Sequence, residues 1–255
     1  MKLTFLRFIY NGILSGMPLV TYNPVTQNTL NVPLTVLPYS TYINFKLTEQ
    51  QSQYLSDYIG HYSDDLELVP IPMFPLDTQS KYLSINVYNC TSPVFMNEEQ
   101  VITRCEINTY VRDRKSGALG TLIVDYLSNG LSMDPLNIFK FPDNVRFINA
   151  GSYNEIECTS KKEQIYLSLN ISKLLDFTRT ISDELIKYTD NVYYKNGIMD
   201  KIYYDSSLVD ATIKTPSLDK DVKFRFKDLC FTRADSIFHF PNNIRFVGGM
   251  WDNLK

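Results

Sequence analysis

The stretch "TRCEINTYVRDRKSGALGTLIVDYLS", residues 103–128, decides the fold because it contains two different strand patterns in succession. Its first part alternates with a period of two, which is typical of a β-strand whose faces meet different surroundings. One face carries Arg104, Glu106, Asn108, Tyr110 and Arg112, and the other carries Cys105, Ile107, Thr109 and Val111. The second part, "GTLIVDYL" (120–127), is apolar on both faces apart from Asp125, which predicts a central strand covered on two sides.

The same alternation recurs along the chain. It marks residues 81–89, 164–172 and 222–227, the first two as half-buried strands and the third with a solvated face of Lys223, Arg225 and Lys227. The 18 Tyr and 15 Phe residues also favour strands. The sequence therefore predicts a mainly β, antiparallel protein, and its 255 residues are expected to form a single domain over 1–255.

Helices are expected to be few, two or three in all. Thr48 and Gln51 have the spacing of a capping box and predict a helix over about 49–60. A second helix is predicted over about 172–188, where apolar residues form one stripe and Ser172 can act as the cap. Asn196-Gly197 predicts a two-residue hairpin turn.

One phrase occurs twice. "IFKFPDNVRF" at 138–147 returns as "IFHFPNNIRF" at 237–246. Pro142-Asp143-Asn144 and Pro241-Asn242-Asn243 have the chemistry of three-residue hairpin loops, so each copy predicts a structural hairpin. Internal duplication and convergence of two equivalent corners both remain open.

The composition of the chain limits the kinds of partner and cofactor that we expect. A net charge of -3 gives no electrostatic basis for binding nucleic acid. Four widely spaced cysteines and two histidines form no zinc motif, so we expect reduced cysteines and neither metal nor cofactor. We also expect no signal peptide, no membrane span and a cytoplasmic location. Self-association into a homo-oligomer is left open.

From residue 66 to 146 the sequence resembles the acetoacetate decarboxylase-like superfamily. The resemblance rests on "LELVPIPMFP", "KYLSINVYN" and the 45-residue run from Thr103 to Phe147, and on the C-terminal "KDLCFTRADSIFHFP". It implies an antiparallel β-barrel or cone; the alternative is a two-sheet β-sandwich. It also implies a small-molecule ligand.

The resemblance fails at the position of the family's nucleophile. In that family a lysine after a Phe-Pro pair forms a Schiff base with a keto acid. Here Phe141-Pro142 is followed by Asp143 and Asn144, and Lys140 lies close by. The chain is therefore not expected to be a true acetoacetate decarboxylase.

The polar face of the strand that starts near residue 103 is the best candidate site. The resemblance points to Glu106 with Arg104 as catalytic residues, and Asn108, Tyr110, Tyr126 and Lys140 are the candidate ligand-binding residues. Asp125 is an alternative to Tyr126, depending on register. Two interpretations compete: a solvated sheet face with ion pairs, or polar groups that converge inside a barrel.

Three functions follow from these alternatives. The protein could bind or transform a small carboxylate or carbonyl compound; it could be a non-catalytic barrel for an apolar ligand; or it could be a structural or interaction protein with an exposed apolar patch. Whether it is an enzyme is not decided by the sequence.

Overall fold

The architecture comes from a computed structural model. It describes residues 30–61, 64–71, 79–91, 101–117, 119–129, 144–149, 154–160, 165–170, 191–195, 198–202, 212–214, 223–240 and 244–250. In chain order the elements are β1 Leu30–Val36, β2 Ser40–Lys46, α1 Glu49–Gly60, β3 Leu66–Leu68, β4 Tyr82–Thr91, β5 Ile102–Asp113, β6 Leu119–Ser128, β7 Asn144–Asn149, β8 Asn154–Ser160, β9 Ile165–Asn170, β10 Asn191–Lys195, β11 Ile198–Ile202, β12 Thr212–Lys214, β13 Lys223–Phe226, β14 Leu229–Phe231, β15 Ser236–Phe240 and β16 Ile244–Met250.

The strands form two sheets, so the prediction of a mainly β protein is confirmed. The larger sheet is 11-stranded and runs β11-β10-β6-β5-β4-β2-β15-β12, with β1 joining β4 to β16 and β3 pairing with β5. The smaller sheet is 5-stranded, in the order β14-β13-β9-β8-β7. Pairing is antiparallel except between β10 and β6, which are parallel. The strand predicted to be central, β6, lies between β5 and β10, as its two-sided apolar pattern indicates.

The core lies between the two sheets. Ile43, Phe45, Ile85 and Ile107 of the large sheet belong to the same buried cluster as the apolar residues of the small sheet. The ring of Phe45 packs 4.9 Å from that of Phe224 and 5.0 Å from that of Phe231. Because this cluster takes one face of the large sheet, the opposite face of that sheet turns away from the small sheet.

The helix is held as its capping box predicts. The Thr48 hydroxyl accepts a hydrogen bond from the Gln51 backbone N–H at 3.2 Å, and the Gln51 side chain accepts one from the Thr48 N–H at 2.9 Å. Leu55 and Ile59 are the buried residues of α1. Tyr58 packs edge-on against Phe226 at 5.7 Å, which ties the helix to the small sheet.

The large sheet curls back on itself. β4 pairs at one end with β1 and along the rest of its length with β2, and β1 in turn pairs with β16. At the far end of the path, β11 lies beside β16. No hydrogen-bonded ladder joins these two strands in the part of the chain that the structure describes. The arrangement is an open cone packed on a second sheet, and it combines features of the barrel and of the sandwich that the sequence left as alternatives.

The hairpin predicted for the second copy of the repeated phrase is wrong. Its flanking strands do not pair with each other: β15 pairs with β2 and β12, and β16 pairs with β1. The Tyr39 backbone N–H donates to the Phe240 carbonyl at 2.7 Å, so β2 and β15 stay paired up to the point where the chain turns from β1 into β2, and residues 241–243 lie outside the described residues. Long-range pairing has overridden the local turn chemistry. In the first copy, residues 138–143 lie outside the described residues, and β7 belongs to the other sheet.

The remaining structural predictions have different outcomes. The hairpin predicted from Asn196-Gly197 is confirmed by its strands, because Lys195 of β10 is the register partner of Ile198 of β11; residues 196–197 themselves lie outside the described residues. β9 is half-buried as expected, whereas β4 is buried on both faces and the half-buried prediction for it is wrong. The predicted helix over 172–188 lies outside the described residues. The helix in the described part of the chain is too short and too polar to cross a membrane.

Candidate functional site

The polar face of β5 is buried, so the solvated-face interpretation is wrong. Arg104 is 3% exposed, Glu106 2%, Asn108 0% and Tyr110 4%. Arg112, at the end of the strand, is exposed and forms an ion pair with Glu67 at 2.9 Å. The neighbouring strands of the curled sheet therefore enclose four of the five residues whose alternation marked this face.

Register places a second set of polar groups beside the first. Across the β4–β5 pairing, Tyr88 lies opposite Arg104, Asn86 opposite Glu106 and Ser84 opposite Asn108. Since side chains alternate between faces along a strand, these register partners share the enclosed face of the sheet.

β6 borders the face on the other side and settles the choice between Tyr126 and Asp125. Tyr126 is the register partner of Glu106, whereas Asp125 is the partner of Ile107, whose side chain belongs to the inter-sheet core. Asp125 instead accepts a hydrogen bond from the backbone N–H of Tyr126 at 2.8 Å. A bulge after Ile107 then shifts the register, so that Asn108 lies opposite Ile123.

Glu106 is the centre of a buried charged group. Its Oε1 accepts a hydrogen bond from the Tyr88 hydroxyl at 2.6 Å and lies 3.2 Å from Arg104 Nη2. The Arg104 guanidinium stacks over the Tyr126 ring, 4.5 Å from its centroid. Among the described residues, one cation, one carboxylate and two phenols are thus held together in the buried interior of the protein.

A second network lies further along the same face and is centred on Asn44 of β2. Its Oδ1 accepts hydrogen bonds from the Ser84 hydroxyl at 2.5 Å and the Tyr110 hydroxyl at 3.3 Å, and its Nδ2 donates to Ser236 Oγ at 3.2 Å. Burial raises the pKa of the Tyr110 phenol well above its ordinary value. Tyr110 therefore stays protonated and acts as a hydrogen-bonding group in this network.

Asn86 and Asn108 lie between the two networks. Asn108 Oδ1, Asn108 Nδ2 and Asn86 Oδ1 are buried and have no hydrogen-bond partner among the described residues. Buried amide groups are ordinarily bonded. These three amide atoms are therefore among the polar groups of the face that are available to a bound molecule.

The candidate Lys140 and the two histidines of the sequence lie apart from this group or outside the described residues. Lys140 lies outside the described residues. His61 Nδ1 lies 2.7 Å from the Asp57 carbonyl oxygen at the end of α1, so it belongs to a helix terminus. His239 is placed in β15 by its backbone, and its side chain lies outside the description.

The sequence did not single out Tyr88, Asn86, Ser84, Asn44 or Ser236. The first three alternate on one face of the stretch 81–89, which is the signal that could have found them. Cys90 also lies close to the charged group, and burial raises the pKa of its thiol to about 12. Nearby Arg104 lowers this pKa and Glu106 raises it, but desolvation is the largest cause.

No protein-family model matches the sequence, and no curated protein matches it. Solved structures do resemble it. The enduracididine biosynthesis enzyme MppR with HEPES buffer bound is 8% identical, with a TM-score of 0.54 and coverage of 94% of this chain and 92% of that chain. The acetoacetate decarboxylase from Legionella pneumophila is 9% identical, with a TM-score of 0.52 and coverage of 94% of both chains.

A structure of MppR complexed with pyruvate is also similar, at 9% identity and a TM-score of 0.52, with coverage of 92% of this chain and 93% of that chain. These likenesses show that the chain has the acetoacetate decarboxylase-like fold that its sequence resembles.

Proposed function

We propose that the enclosed polar face binds a small carboxylate or carbonyl compound. The observation that carries the proposal is the buried group of Arg104, Glu106, Tyr88 and Tyr126. Removing two charges from water costs several kcal/mol per ion, so a buried ion pair is a poor device for stability alone. A few convergent polar groups inside an apolar shell are typical of a small-molecule site.

Each residue has a distinct proposed role. The Arg104 guanidinium would donate to the carbonyl or carboxylate oxygen of the ligand, and Tyr126 keeps the guanidinium plane fixed by stacking. Glu106, held by Tyr88, is the candidate acid or base. Asn108 and Tyr110 are the proposed ligand-binding residues further along the face, and Lys140 is retained as a proposed ligand-binding residue from the sequence.

The chemistry proposed for this face stops short of acetoacetate decarboxylation. The position after Pro142 holds Asp143 in place of an amine nucleophile. The proposed activity is therefore either binding alone or acid/base chemistry on a carbonyl compound without a cofactor.

We further propose that the chain is one domain, because both sheets contribute to one buried cluster. The free state of all four cysteines accords with the proposed cytoplasmic location.

The two rival functions have less support. The enclosed face is polar, which disfavours a barrel for a purely apolar ligand. In the described part of the chain the exposed large apolar residues are Tyr39, Val101 and Tyr166, which lie on three separate segments. Single exposed apolar residues are normal on protein surfaces and do not indicate an interaction patch.

A thermal-shift measurement tests the proposal. Pyruvate and acetoacetate should raise the melting temperature in proportion to RT ln(1 + [L]/Kd), and naphthalene, as the uncharged apolar probe, should not. A response to naphthalene alone would replace the proposal with the apolar-ligand function. If none of the three compounds stabilises the protein, the proposal for carboxylate and carbonyl compounds is wrong.

A further inference from the structure

Three neighbouring asparagines on the enclosed face differ in their bonding. The Asn44 side chain is fully engaged, because its Oδ1 accepts from Ser84 and Tyr110 and its Nδ2 donates to Ser236. Both polar atoms of Asn108 and the Oδ1 of Asn86 have no hydrogen-bond partner among the described residues. Asn108 is 0% exposed and Asn86 is 4% exposed, so bulk water does not replace the missing partners.

An unbonded buried amide weakens the folded state, so its presence calls for a partner outside the protein. Register places Asn86 opposite Glu106 and Asn108 opposite Ser84. Because Asn108 follows Glu106 by two residues on one strand, both asparagines border the charged group. A molecule held by Arg104 and Glu106 would therefore extend towards them.

The unbonded atoms specify a complementary chemistry. They comprise two carbonyl oxygens, which accept, and one NH2 group, which donates. A partner must therefore offer N–H or O–H donors together with one acceptor. The adjacent charges are already paired, since Glu106 lies 3.2 Å from Arg104, so this part of the face favours a neutral group over a second carboxylate.

We propose that Asn86 and Asn108 form a subsite for a neutral hydrogen-bonding group, a carboxamide or hydroxyl, that lies next to the carbonyl of the ligand. The inference rests on the proposed function and narrows its ligand class from simple carboxylates to amide- or hydroxyl-bearing carbonyl compounds. In this proposal the two asparagines determine which ligand is preferred, and Arg104 and Glu106 interact with the carbonyl of the ligand.

The first test needs no ligand. Asn108→Leu keeps the number and branching of the side-chain heavy atoms and removes the unbonded polar atoms, so it should raise the melting temperature by about 2–4 °C. Asn44→Leu is the matched control and should lower it, because Ser84, Tyr110 and Ser236 lose their common partner. An Asn108→Leu variant whose melting temperature is unchanged or lowered would overturn the proposal, because Asn108 would then have a structural partner.

The second test compares acetoacetamide with acetoacetate by titration calorimetry. The two probes differ in having a neutral NH2 group or a charged oxygen at one position. Wild-type protein should bind acetoacetamide more tightly, and Asn108→Leu should weaken that binding about tenfold, a larger loss than it causes for acetoacetate.

The outcomes separate this inference from the proposed function. If acetoacetate binds as tightly as acetoacetamide or more tightly, and Asn108→Leu weakens the binding of both probes equally, the subsite is wrong and the proposed function stands. If neither probe binds, both are wrong. If acetoacetamide is preferred and Asn108→Leu removes the preference, both are supported.

Discussion

The Tyr88 hydroxyl donates to the Glu106 carboxylate at 2.6 Å across the β4–β5 pairing, in the buried interior of the protein. A hydrogen bond to a charged acceptor contributes about 1.5–3 kcal/mol to stability. Tyr88→Phe should therefore lower the free energy of unfolding by about that amount in urea titrations. Tyr166→Phe removes an exposed hydroxyl and should change it by less than about 0.5 kcal/mol. Equal effects for the two variants would contradict the assignment.

The Arg104–Glu106 pair should behave as one unit. Removing either partner leaves an unpaired buried charge, so Arg104→Met and Glu106→Gln should each destabilise the protein by about 3–5 kcal/mol. The double variant should cost less than the sum of the two, by about 1 kcal/mol or more. Chemical denaturation of all four proteins measures this difference. Additive costs would show that the two side chains do not interact.

The four cysteines should differ in reactivity. Burial raises the pKa of Cys90 to about 12, and Cys105 and Cys158 are also buried, whereas Cys230 is exposed. Because the thiolate is the nucleophile, iodoacetamide at pH 8 should modify Cys230 of the folded protein and leave the other three unmodified. Peptide mass spectrometry identifies the sites. Rapid modification of Cys90 in the folded state would show that the site is open to solvent.

The raised pKa of Cys90 also determines whether the free energy of unfolding rises or falls with pH. Its folded pKa, about 12, lies above the ordinary thiol value of 9.0, so between these values the unfolded chain loses a proton that the folded chain keeps. The free energy of unfolding should fall as the pH rises above 9.0, and Cys90→Ala should make that fall less steep. An identical pH profile for the variant would mean that Cys90 ionises equally in both states.

Contacts between the sheets should depend on Phe45. Its ring meets Phe224 and Phe231 of the small sheet, and it is fully buried. Phe45→Ala should cost about 3–5 kcal/mol by removing apolar contacts and leaving a cavity. Val101→Ala, at an exposed position, should cost less than about 0.5 kcal/mol. Similar stability of the two variants in urea would contradict the packing of the two sheets.

Local patterns in the sequence predicted local structure well. The capping box at Thr48, the strand alternation through Glu106 and the Asn196-Gly197 turn each depend on neighbouring residues, and each agrees with the structure. The alternation also separated the two faces of β5 correctly. The alternation could not predict what surrounds the polar face. A strand that faces solvent and a strand that faces other polar strands have the same two-residue period of polar side chains.

The errors come from contacts that are distant in sequence. Asn44 meets Ser236, 192 residues away, and no short window of sequence contains both. In the same way, the turn residues at 241–243 favour a hairpin, but β15 pairs with β2 and β16 pairs with β1 instead. The family resemblance supplied the fold because it compared a long part of the chain at once.

Ligand binding by the Arg104–Glu106 group is the central claim, and titration calorimetry with acetoacetate and acetoacetamide tests it most directly. Arg104→Met removes the guanidinium that is proposed to donate to the ligand and should weaken the binding of both probes at least about tenfold, since a charge-assisted hydrogen bond contributes more than about 1.4 kcal/mol. Arg112→Met removes a surface guanidinium from its ion pair with Glu67 and should leave both affinities unchanged. Melting curves of both variants establish that they are folded at the temperature of the titration. Unchanged affinities in folded Arg104→Met would contradict the claim.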